Sequence, residues 1–277
     1  MKSHVAITIL VDNQAGEGFL QEHGLSLWIE TPTRRILFDT GQGKALEFNA
    51  PAMGVDLSQT DVLVLSHGHY DHTGGILHVL KQARPIEVYA HPGVIQNRYS
   101  IRDGIAKPVQ IPREARAALD QLPARNLHWV TEAVWLDEDI GITGPIPRQT
   151  PYEDPGGPFY LDPEGQHADL IEDDLSLWIQ TRKGLVICAG CCHAGLVNTL
   201  NHIRRLTQHD HIHAVIGGFH LLNANARRLE QTLAALRSFS PEWVVPCHCT
   251  GDLAIEALKT AFGGRMTTGH VGARYDI

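Results

Sequence analysis

The stretch DVLVLSHGHYDHTGG, residues 61–75, carries the strongest signal for fold and function in the chain. The apolar run DVLVL predicts a buried strand, and the loop after it holds four potential metal ligands: His67, His69, Asp71 and His72. Imidazole nitrogen and carboxylate oxygen both suit Zn²⁺, Fe or Mn²⁺. Because side chains at a strand end can converge, we predict that the first two bind one ion and the last two a second. The alternative is an ordinary polar turn before a helix.

The composition excludes some classes of function. The chain has 277 residues and a formal net charge of -8, so it lacks the cationic surface that sequence-independent nucleic-acid binding or a polybasic membrane contact requires. Apolar runs such as VAITILV are far shorter than the roughly 18–20 residues that span a bilayer. We expect a soluble, cytoplasmic protein without nucleic-acid or membrane partners, and the sequence is compatible with a homo-oligomer.

Strand and helix patterns alternate along most of the chain. HVAITILVD, LSLWIET, RILFD, GLVICAG, AVIGG and WVVPCH are predicted strands, and segments such as GLVNTLNHIRRLTQ are predicted helices. This order is typical of an α/β protein. Residues 94 to about 170 are rich in proline and glycine, and we interpret them as an insertion beside the site, within a single domain that covers residues 1–277.

The two halves of the chain also resemble each other. EHGLSLWIETPTRRILFDTG (22–41) matches EDDLSLWIQTRKGLVICAG (172–190) with a one-residue gap, which indicates an internal duplication. Extending the alignment pairs polar residues near strand ends: Asp39 with Cys188, His69 with His220, and His91 with His248. Because open α/β sheets commonly bind ligands at the carboxyl ends of their strands, two such units packed face to face would form a central cleft.

The pattern H-x-H-x-D-H after an apolar strand resembles the metallo-β-lactamase superfamily, whose four-layer αβ/βα sandwich is itself built from two duplicated halves. FDTG, with Asp39, is similar to that family's first motif, in which the aspartate supports the site from behind the ligands. The segments EHGLSL, TGPIPR, GCCHAG, IGGFHL and PCHCTG resemble the branch of 7,8-dihydropterin-6-yl-methyl-4-(β-D-ribofuranosyl)aminobenzene 5'-phosphate synthases. The resemblance covers nearly the whole chain and implies the same sandwich.

This resemblance also implies the remaining metal ligands. His193 would be the third ligand of the first ion, and His248 would join the second ion. Two divalent ions are therefore expected, with Zn²⁺ preferred and Mn²⁺ or Fe as alternatives. The chain departs from the family at one position, because no aspartate stands where a metal-bridging carboxylate is usual. Cys188, Cys191 and Cys192 occupy that neighbourhood, so water alone would form the bridge.

Other polar residues are candidates for roles around the metals. Asp71 is expected to act in catalysis as well as in metal binding. We expect His220 to face the metals without binding them and to act as a general acid, since a neutral imidazole exchanges protons readily near pH 7. A backbone-bonding or exposed role is the alternative for this residue. Further candidates to support the metals or contact substrate are Glu22, His23, Arg148 and Cys192.

All five cysteines lie in the C-terminal half, and an odd number is a poor disulfide framework. Cys188, Cys191, Cys247 and Cys249 could form a structural zinc site. We favour buried thiols instead, because Cys188 is expected to point into a strand pairing. A nucleophilic Cys192 is less favoured still, because a metal-bound imidazole cannot serve as its base.

Three classes of function remain open. The first is a metal-dependent hydrolase of a phosphorylated or otherwise anionic small molecule. The second is a transferase of the synthase type, in which an arylamine displaces diphosphate from a pterin methyl carbon. The third is a non-catalytic sensor that kept the site. Basic residues of the insertion could bind phosphate, although an ordinary solvated loop is the simpler interpretation: Arg98, Arg102, Lys107, Arg113 and Arg116.

Overall fold

The computed structural model describes residues 4–277. Its strands are β1 (Ala6–Val11), β2 (Ser26–Glu30), β3 (Arg35–Phe38), β4 (Val62–Val64), β5 (Glu87–Ala90), β6 (Tyr99–Arg102), β7 (Ile105–Pro108), β8 (Leu127–Trp129), β9 (Val134–Trp135), β10 (Ile140–Ile142), β11 (Phe159–Tyr160), β12 (Ser176–Thr181), β13 (Gly184–Ala189), β14 (Ile212–Gly218), β15 (Trp243–Cys247) and β16 (Arg274–Asp276). Its α-helices are α1 (Lys44–Ala52), α2 (Tyr70–Thr73), α3 (Ile76–Gln82), α4 (Arg113–Asp120), α5 (Leu196–Thr207), α6 (Ala226–Phe239) and α7 (Asp252–Phe262). Within these described residues, no helix has the length and apolar composition needed to cross a membrane.

Most strands belong to two large sheets. One has seven strands in the order β16-β1-β2-β3-β4-β5-β8, and the other has six in the order β15-β14-β13-β12-β10-β9. Apolar side chains from the inner faces of both sheets pack into one shared core, to which Ile29, Phe38, Val64, Ile179 and Ile216 belong. Since successive strand residues point to opposite faces, the alternate residues are left to pack against helices.

Helices cover the outer face of each sheet. α1, α3 and α4 lie on the seven-stranded sheet, where Leu46 and Val79 are buried. α5, α6 and α7 lie on the six-stranded sheet, where Leu200, Leu236 and Leu258 are buried. The fold is therefore the four-layer αβ/βα sandwich that the sequence predicts.

Each half contains an antiparallel hairpin followed by two parallel strands, β2-β3-β4-β5 in one sheet and β12-β13-β14-β15 in the other. The strand register corrects the sequence alignment. Leu27 lies opposite Phe38 as Leu177 lies opposite Cys188, so Cys188 corresponds to Phe38 and not to Asp39. The residue pairing within the two hairpins is the same along their shared length, so the alignment of the two halves needs no gap here.

The next strands shift the correspondence as well. Val64 lies beside Phe38, and Ile216 lies beside Cys188, so Val64 corresponds to Ile216. Counting onward sets His220 level with Gly68. The sequence predicts that His69 matches His220 and that His91 matches His248, and both of these predictions are wrong by one residue. The strands concerned are buried on both faces and nearly continuously apolar, so they lack the alternation that would fix the register.

The segment 94–170 contributes to both main sheets as well as to an addition beside the site. β8 lies at the edge of the seven-stranded sheet, and β9 and β10 extend the six-stranded one. β11, β6 and β7 form a separate three-stranded sheet, in which Phe159 lies opposite Ser100. The sequence predicts a larger separate insertion than the structure shows. The strands of this segment are only two to four residues long, and such short strands leave a weak alternating pattern that is easily missed.

Candidate metal centre

The H-x-H-x-D-H loop follows β4 and borders a cavity of about 440 Å³. The loops after β13 and β15 bring His193 and His248 to the wall of the same cavity. His69 and Asp71 line it from the motif itself. The histidines that the sequence assigns to the site are thus gathered at the ends of strands from both sheets.

Three buried imidazoles form the first cluster. The ligating nitrogens of His67, His69 and His193 lie within 4.8 Å of one another, and His67 Nε2 is 2.9 Å from His69 Nδ1. His193 donates its Nδ1 proton to the carbonyl oxygen of Pro155 at 2.8 Å, which leaves a lone pair on Nε2. That buried Nε2 has no hydrogen-bond partner in the part of the chain that the structure describes, so it is free to bind a cation.

Asp39 fixes the orientation of the motif. Its buried carboxylate accepts hydrogen bonds from Ser66 N at 2.7 Å, Ser66 Oγ at 2.6 Å and His72 Nδ1 at 2.7 Å. Because the Ser66 hydroxyl gives its proton to Asp39, it accepts one from His67 Nδ1 at 2.8 Å. The loop after β13 packs closely here, since a Cβ on Gly190 would lie 2.2 Å from Ser66 Oγ. The Nδ1 proton of His67 and that of His72 are thereby held on the side away from the site, and the Nε2 atom of each is left to face it.

A second cluster combines a carboxylate with imidazoles. His248 Nε2 lies 3.3 Å from His72 Nε2 and 3.3 Å from Asp71 Oδ2, and His72 Nε2 is 3.8 Å from the same oxygen. Two ligands at about 2.1 Å from one tetrahedral ion are about 3.4 Å apart, so these separations match a shared ion. His23 adds a further imidazole, with its Nε2 3.2 Å from Asp71 Oδ2.

Two residues directly after β1 hold His248, and the sequence analysis missed both. Asn13 Oδ1 accepts a hydrogen bond from His248 Nδ1 at 2.9 Å, and the Asp12 carboxylate accepts one from the backbone N–H of His248 at 2.7 Å. The available signal was a polar pair immediately after an apolar strand, as in the H-x-H-x-D-H loop. These contacts leave the Nε2 of His248 directed at the second cluster.

This donor set fits divalent cations. Hydrogen bonds occupy the Nδ1 atoms of four imidazoles: His67, His72, His193 and His248. Their Nε2 lone pairs therefore converge with the carboxylate of Asp71, and lone pairs this close repel unless a proton or a cation lies between them. Zinc, manganese and iron all accept such ligands. Two ions fit, one on each cluster, and their binding stays a prediction.

The backbone is strained at several of these positions. Asp39, Cys192, His220 and His248 have φ angles of 62°, 51°, 47° and 50°, a region that is costly for residues with a Cβ. Such conformations persist where surrounding contacts hold them, and they cluster at functional sites. The strain is therefore an independent sign that this rim of the sandwich carries the function.

The segment 153–156 of the predicted insertion helps to build the site. Its Pro155 carbonyl binds one histidine of the first cluster, as described above. Gly156 has a φ of 84°, and a Cβ there would lie 1.9 Å from the ring of His220. Glu153 anchors the segment by accepting hydrogen bonds from two backbone N–H groups at the start of α5. A larger residue in place of Gly156 would displace the ring of His220.

His220 lies beside the first cluster. Its ring centroid is 4.3 Å from that of His193, and the residue lines the cavity. Phe159, on β11, covers the same region, with its ring 4.9 Å from that of His69 and 5.4 Å from that of His193. An apolar wall on one side and an imidazole on the other therefore border the place where a substrate would meet the first cluster.

Two of the weaker candidates have structural contacts. Glu22 accepts hydrogen bonds from the backbone N–H groups of Gln42 at 2.8 Å and Ala45 at 3.1 Å, so it caps the start of α1. Arg148 donates to the carbonyl oxygen of His193 at 2.5 Å, which positions that loop from outside the cavity. Neither side chain lines the cavity, so neither is placed to contact a substrate there.

All five cysteines are buried and have free thiols. Cys188 and Cys247 lie in the core between the sheets, so the four-cysteine zinc site of the alternative interpretation does not form. Cys192 packs in the apolar core beneath α5, and burial raises the pKa of its thiol well above the usual value, which argues against a nucleophile. Cys191 and Cys249 line the cavity.

The basic residues of the insertion have different roles. Arg98 is buried and pairs with Asp169 at 2.8 Å and with Asp173, whose carboxylate accepts the backbone N–H of Gly68 at 2.8 Å. Arg98 therefore supports the metal-binding loop instead of binding phosphate. Among the described residues that line the cavity, Arg102 is the only lysine or arginine.

The two clusters should differ in proton release on metal binding. Burial lowers the pKa of His67, His69 and His193 well below the usual value, so the first cluster is deprotonated at neutral pH. Burial also acts to lower the pKa of His72, but the carboxylates of Asp39 and Asp71 outweigh it and raise that pKa to about 9. A cation must therefore displace a proton from the second cluster.

We expect the imidazoles of the first cluster to release no proton when an ion binds, and His72 of the second cluster to release about one. The affinity for the second ion should rise about tenfold per pH unit up to about pH 9, because the raised pKa keeps His72 protonated below that pH. Calorimetric titration of Zn²⁺ in two buffers of different ionisation enthalpy measures the released protons. Equal, pH-independent binding of both ions would contradict this account.

Comparison with known proteins gives a consistent picture. Residues 21–197 match the family model described as the metallo-beta-lactamase superfamily. The chain is 29% identical to the 7,8-dihydropterin-6-methyl-4-(beta-D-ribofuranosyl)-aminobenzene-5'-phosphate synthase of Methanocaldococcus jannaschii. The alignment covers 97% of this chain and 95% of the synthase. An uncharacterized protein of the same organism is 32% identical over 96% of this chain and 98% of its own. The crystal structure of a metal-dependent hydrolase of the beta-lactamase superfamily is similar, with a TM-score of 0.84, 28% identity and 99% coverage of both chains.

Proposed function

The chain belongs to the metallo-beta-lactamase superfamily, and from this premise we propose that it is a metal-dependent hydrolase of an anionic, phosphorylated small molecule. The observation that carries the proposal is the convergence of four imidazole lone pairs and one carboxylate at the border of a cavity of about 440 Å³. A sensor would need the ligands but not a substrate cavity bordered by a proton donor.

The chemistry divides between the ions and the chain. Divalent cations held by the two clusters would supply positive charge that polarises a phosphate ester and makes a water molecule more acidic. His67, His69 and His193 would hold one ion, and Asp71, His72 and His248 the other. The protein keeps these ligands in place through hydrogen bonds to their far nitrogens, so little reorganisation is needed during the reaction.

The anionic character of the substrate is inferred from the cavity wall. Arg102, at the end of β6, lines the cavity and is exposed. Guanidinium groups bind phosphate oxygens in pairs, so this side chain would hold a phosphate that is not being cleaved. Phe159 and Tyr70 border the same space and would contact an apolar or aromatic part of the substrate.

We further propose that His220 protonates the leaving group. Its ring centroid lies 4.3 Å from that of His193, and the residue lines the cavity. Replacing His220 with glutamine should leave metal content near that of the wild type and lower kcat by at least about tenfold. The loss should be smallest for substrates whose leaving group needs no proton.

His209→Gln, at an exposed position, is the matched control and should keep full activity. If H220Q lost a metal ion, His220 would be a ligand. If its kinetics matched those of the wild type, the proton-donor role would be wrong.

A second function is supported by the likeness to the synthase from Methanocaldococcus jannaschii over 97% of this chain. In that case the ions would hold the diphosphate of a pterin substrate, and an arylamine would replace water as the nucleophile. The same cavity would need to admit both reactants.

Product analysis with and without an amine acceptor separates the two functions. Zinc-loaded protein is incubated with phosphate esters, lactones and pterin diphosphates, and the products are identified by mass spectrometry. Hydrolysis that is independent of amine supports the hydrolase. Product formation only with an arylamine supports the transferase, and no turnover with any of these would contradict both.

A further inference from the structure

Cys191 is placed differently from the other four cysteines. In the described chain its sulfur belongs to three groups of potential ligands, and all ligating atoms within each group are less than 4.8 Å apart: His67–His72–Cys191, Cys191–His193–His220 and Cys191–His248–Cys249. The groups include members of both histidine clusters. The Cys191 sulfur therefore lies between the two expected metal positions.

We propose that Cys191 supplies its thiolate as a metal ligand that the two clusters share. Among the described residues, no group of potential ligands joins a carboxylate to the first cluster, whereas the Cys191 sulfur joins members of both clusters. The inference deepens the proposed function and rests on its two-metal centre. It replaces the expectation that water alone would form the bridge.

The contact with His72 supports direct ligation. Cys191 Sγ lies 3.1 Å from His72 Nε2, the ring nitrogen that does not bond to Asp39. Zinc binds sulfur at about 2.3 Å and imidazole nitrogen at about 2.0–2.1 Å, so two such ligands on one ion are separated by roughly 3.5 Å. A small adjustment of the side chain would accommodate an ion between these atoms.

The local backbone directs this sulfur towards the metals. Gly190 is pressed against Ser66, and the φ of 51° at Cys192 turns the chain immediately afterwards. This turn places the Cys192 side chain in the apolar core beneath α5 and leaves Cys191 between the clusters. The strained turn at the end of β13 thus separates the roles of two adjacent cysteines.

Cys249 is the competing candidate. Its sulfur lies 3.4 Å from that of Cys191, but it joins only the one group that contains His248. Cys249 also contacts His220, but in the described chain it joins no group of potential ligands that contains a histidine of the first cluster. Among the described residues, Cys188, Cys192 and Cys247 join none of the groups.

Cobalt substitution tests the proposal without any substrate. Protein loaded with two Co²⁺ ions should show a sulfur-to-cobalt charge-transfer band in the near ultraviolet. C191S, which keeps the side-chain volume, should lose that band, and C191A should also bind its second ion at least about tenfold more weakly. C188A and C192A each remove a buried thiol outside the clusters and should keep the band, as should C249A.

The outcomes distinguish this inference from the proposed function. A full band in C191S, or its loss in C249A alone, overturns ligation by Cys191 and leaves the hydrolase standing. Wild-type protein that binds two Co²⁺ ions without showing the charge-transfer band also overturns ligation by Cys191 and leaves the hydrolase standing. Failure of the wild type to bind cobalt overturns both the metal centre and the shared thiolate.

Discussion

Replacing His69 with alanine should remove metal from the first cluster and lower turnover by at least about 10³-fold. The nitrogen that is lost lies 2.9 Å from His67 Nε2, so two imidazoles would remain where three converge. Charge stabilisation by a metal ion is worth several kcal/mol, and each 1.36 kcal/mol is a factor of ten in rate. Metal content by mass spectrometry and turnover of the best substrate measure the two effects together.

His209→Ala is the matched control, because it removes an exposed imidazole outside the cavity. It should retain the metal and the rate of the wild type. Full metal content and full turnover in H69A would show that His69 is not a ligand.

Replacing Asp39 with alanine should weaken the fold and the metal site at once. The carboxylate is fully buried and accepts three hydrogen bonds, two from Ser66 and one from His72. Its removal leaves those donors without a partner, which should lower the free energy of unfolding of the metal-free protein by about 3–5 kcal/mol. Because His67 and His72 lose their fixed orientation, metal affinity should also fall about 10- to 100-fold.

Urea unfolding in the presence of a chelator measures the first effect, and metal titration measures the second. Asp61→Ala is the control, since Asp61 is exposed and accepts a hydrogen bond from the backbone of Arg35 at 2.7 Å. It should change metal affinity little. Wild-type metal affinity in D39A would mean that the ligands do not depend on Asp39 for their orientation.

The alternation of strands and helices predicted an α/β protein, and the resemblance of the H-x-H-x-D-H motif to the superfamily implied the four-layer sandwich and the further ligands His193 and His248. His67, His69, His193 and His248 all lie in loops that follow strands of the two large sheets, where side chains from separate strands can converge. The resemblance of FDTG to the family's first motif implied a supporting place for Asp39 behind the ligands, and the structure puts Asp39 in contact with His72.

The contacts that orient the ligands were harder to predict. Pro155 acts through its backbone carbonyl, which no side-chain pattern reveals, and Asn13 is about 235 residues away from His248 in sequence. Glu22 could not be recognised as a helix cap, because its partners are backbone groups 20 and 23 residues later. The repeat alignment slipped by one residue because the matched strands are buried on both faces and form continuous apolar runs, which do not fix a register.

Anomalous diffraction from crystals of the zinc-loaded protein tests the central claim most directly. We expect two zinc peaks per chain, one within bonding distance of His67, His69 and His193, and the other within bonding distance of Asp71, His72 and His248. A single peak away from these residues, or two peaks with His193 and His248 turned away from them, would contradict the two-metal centre.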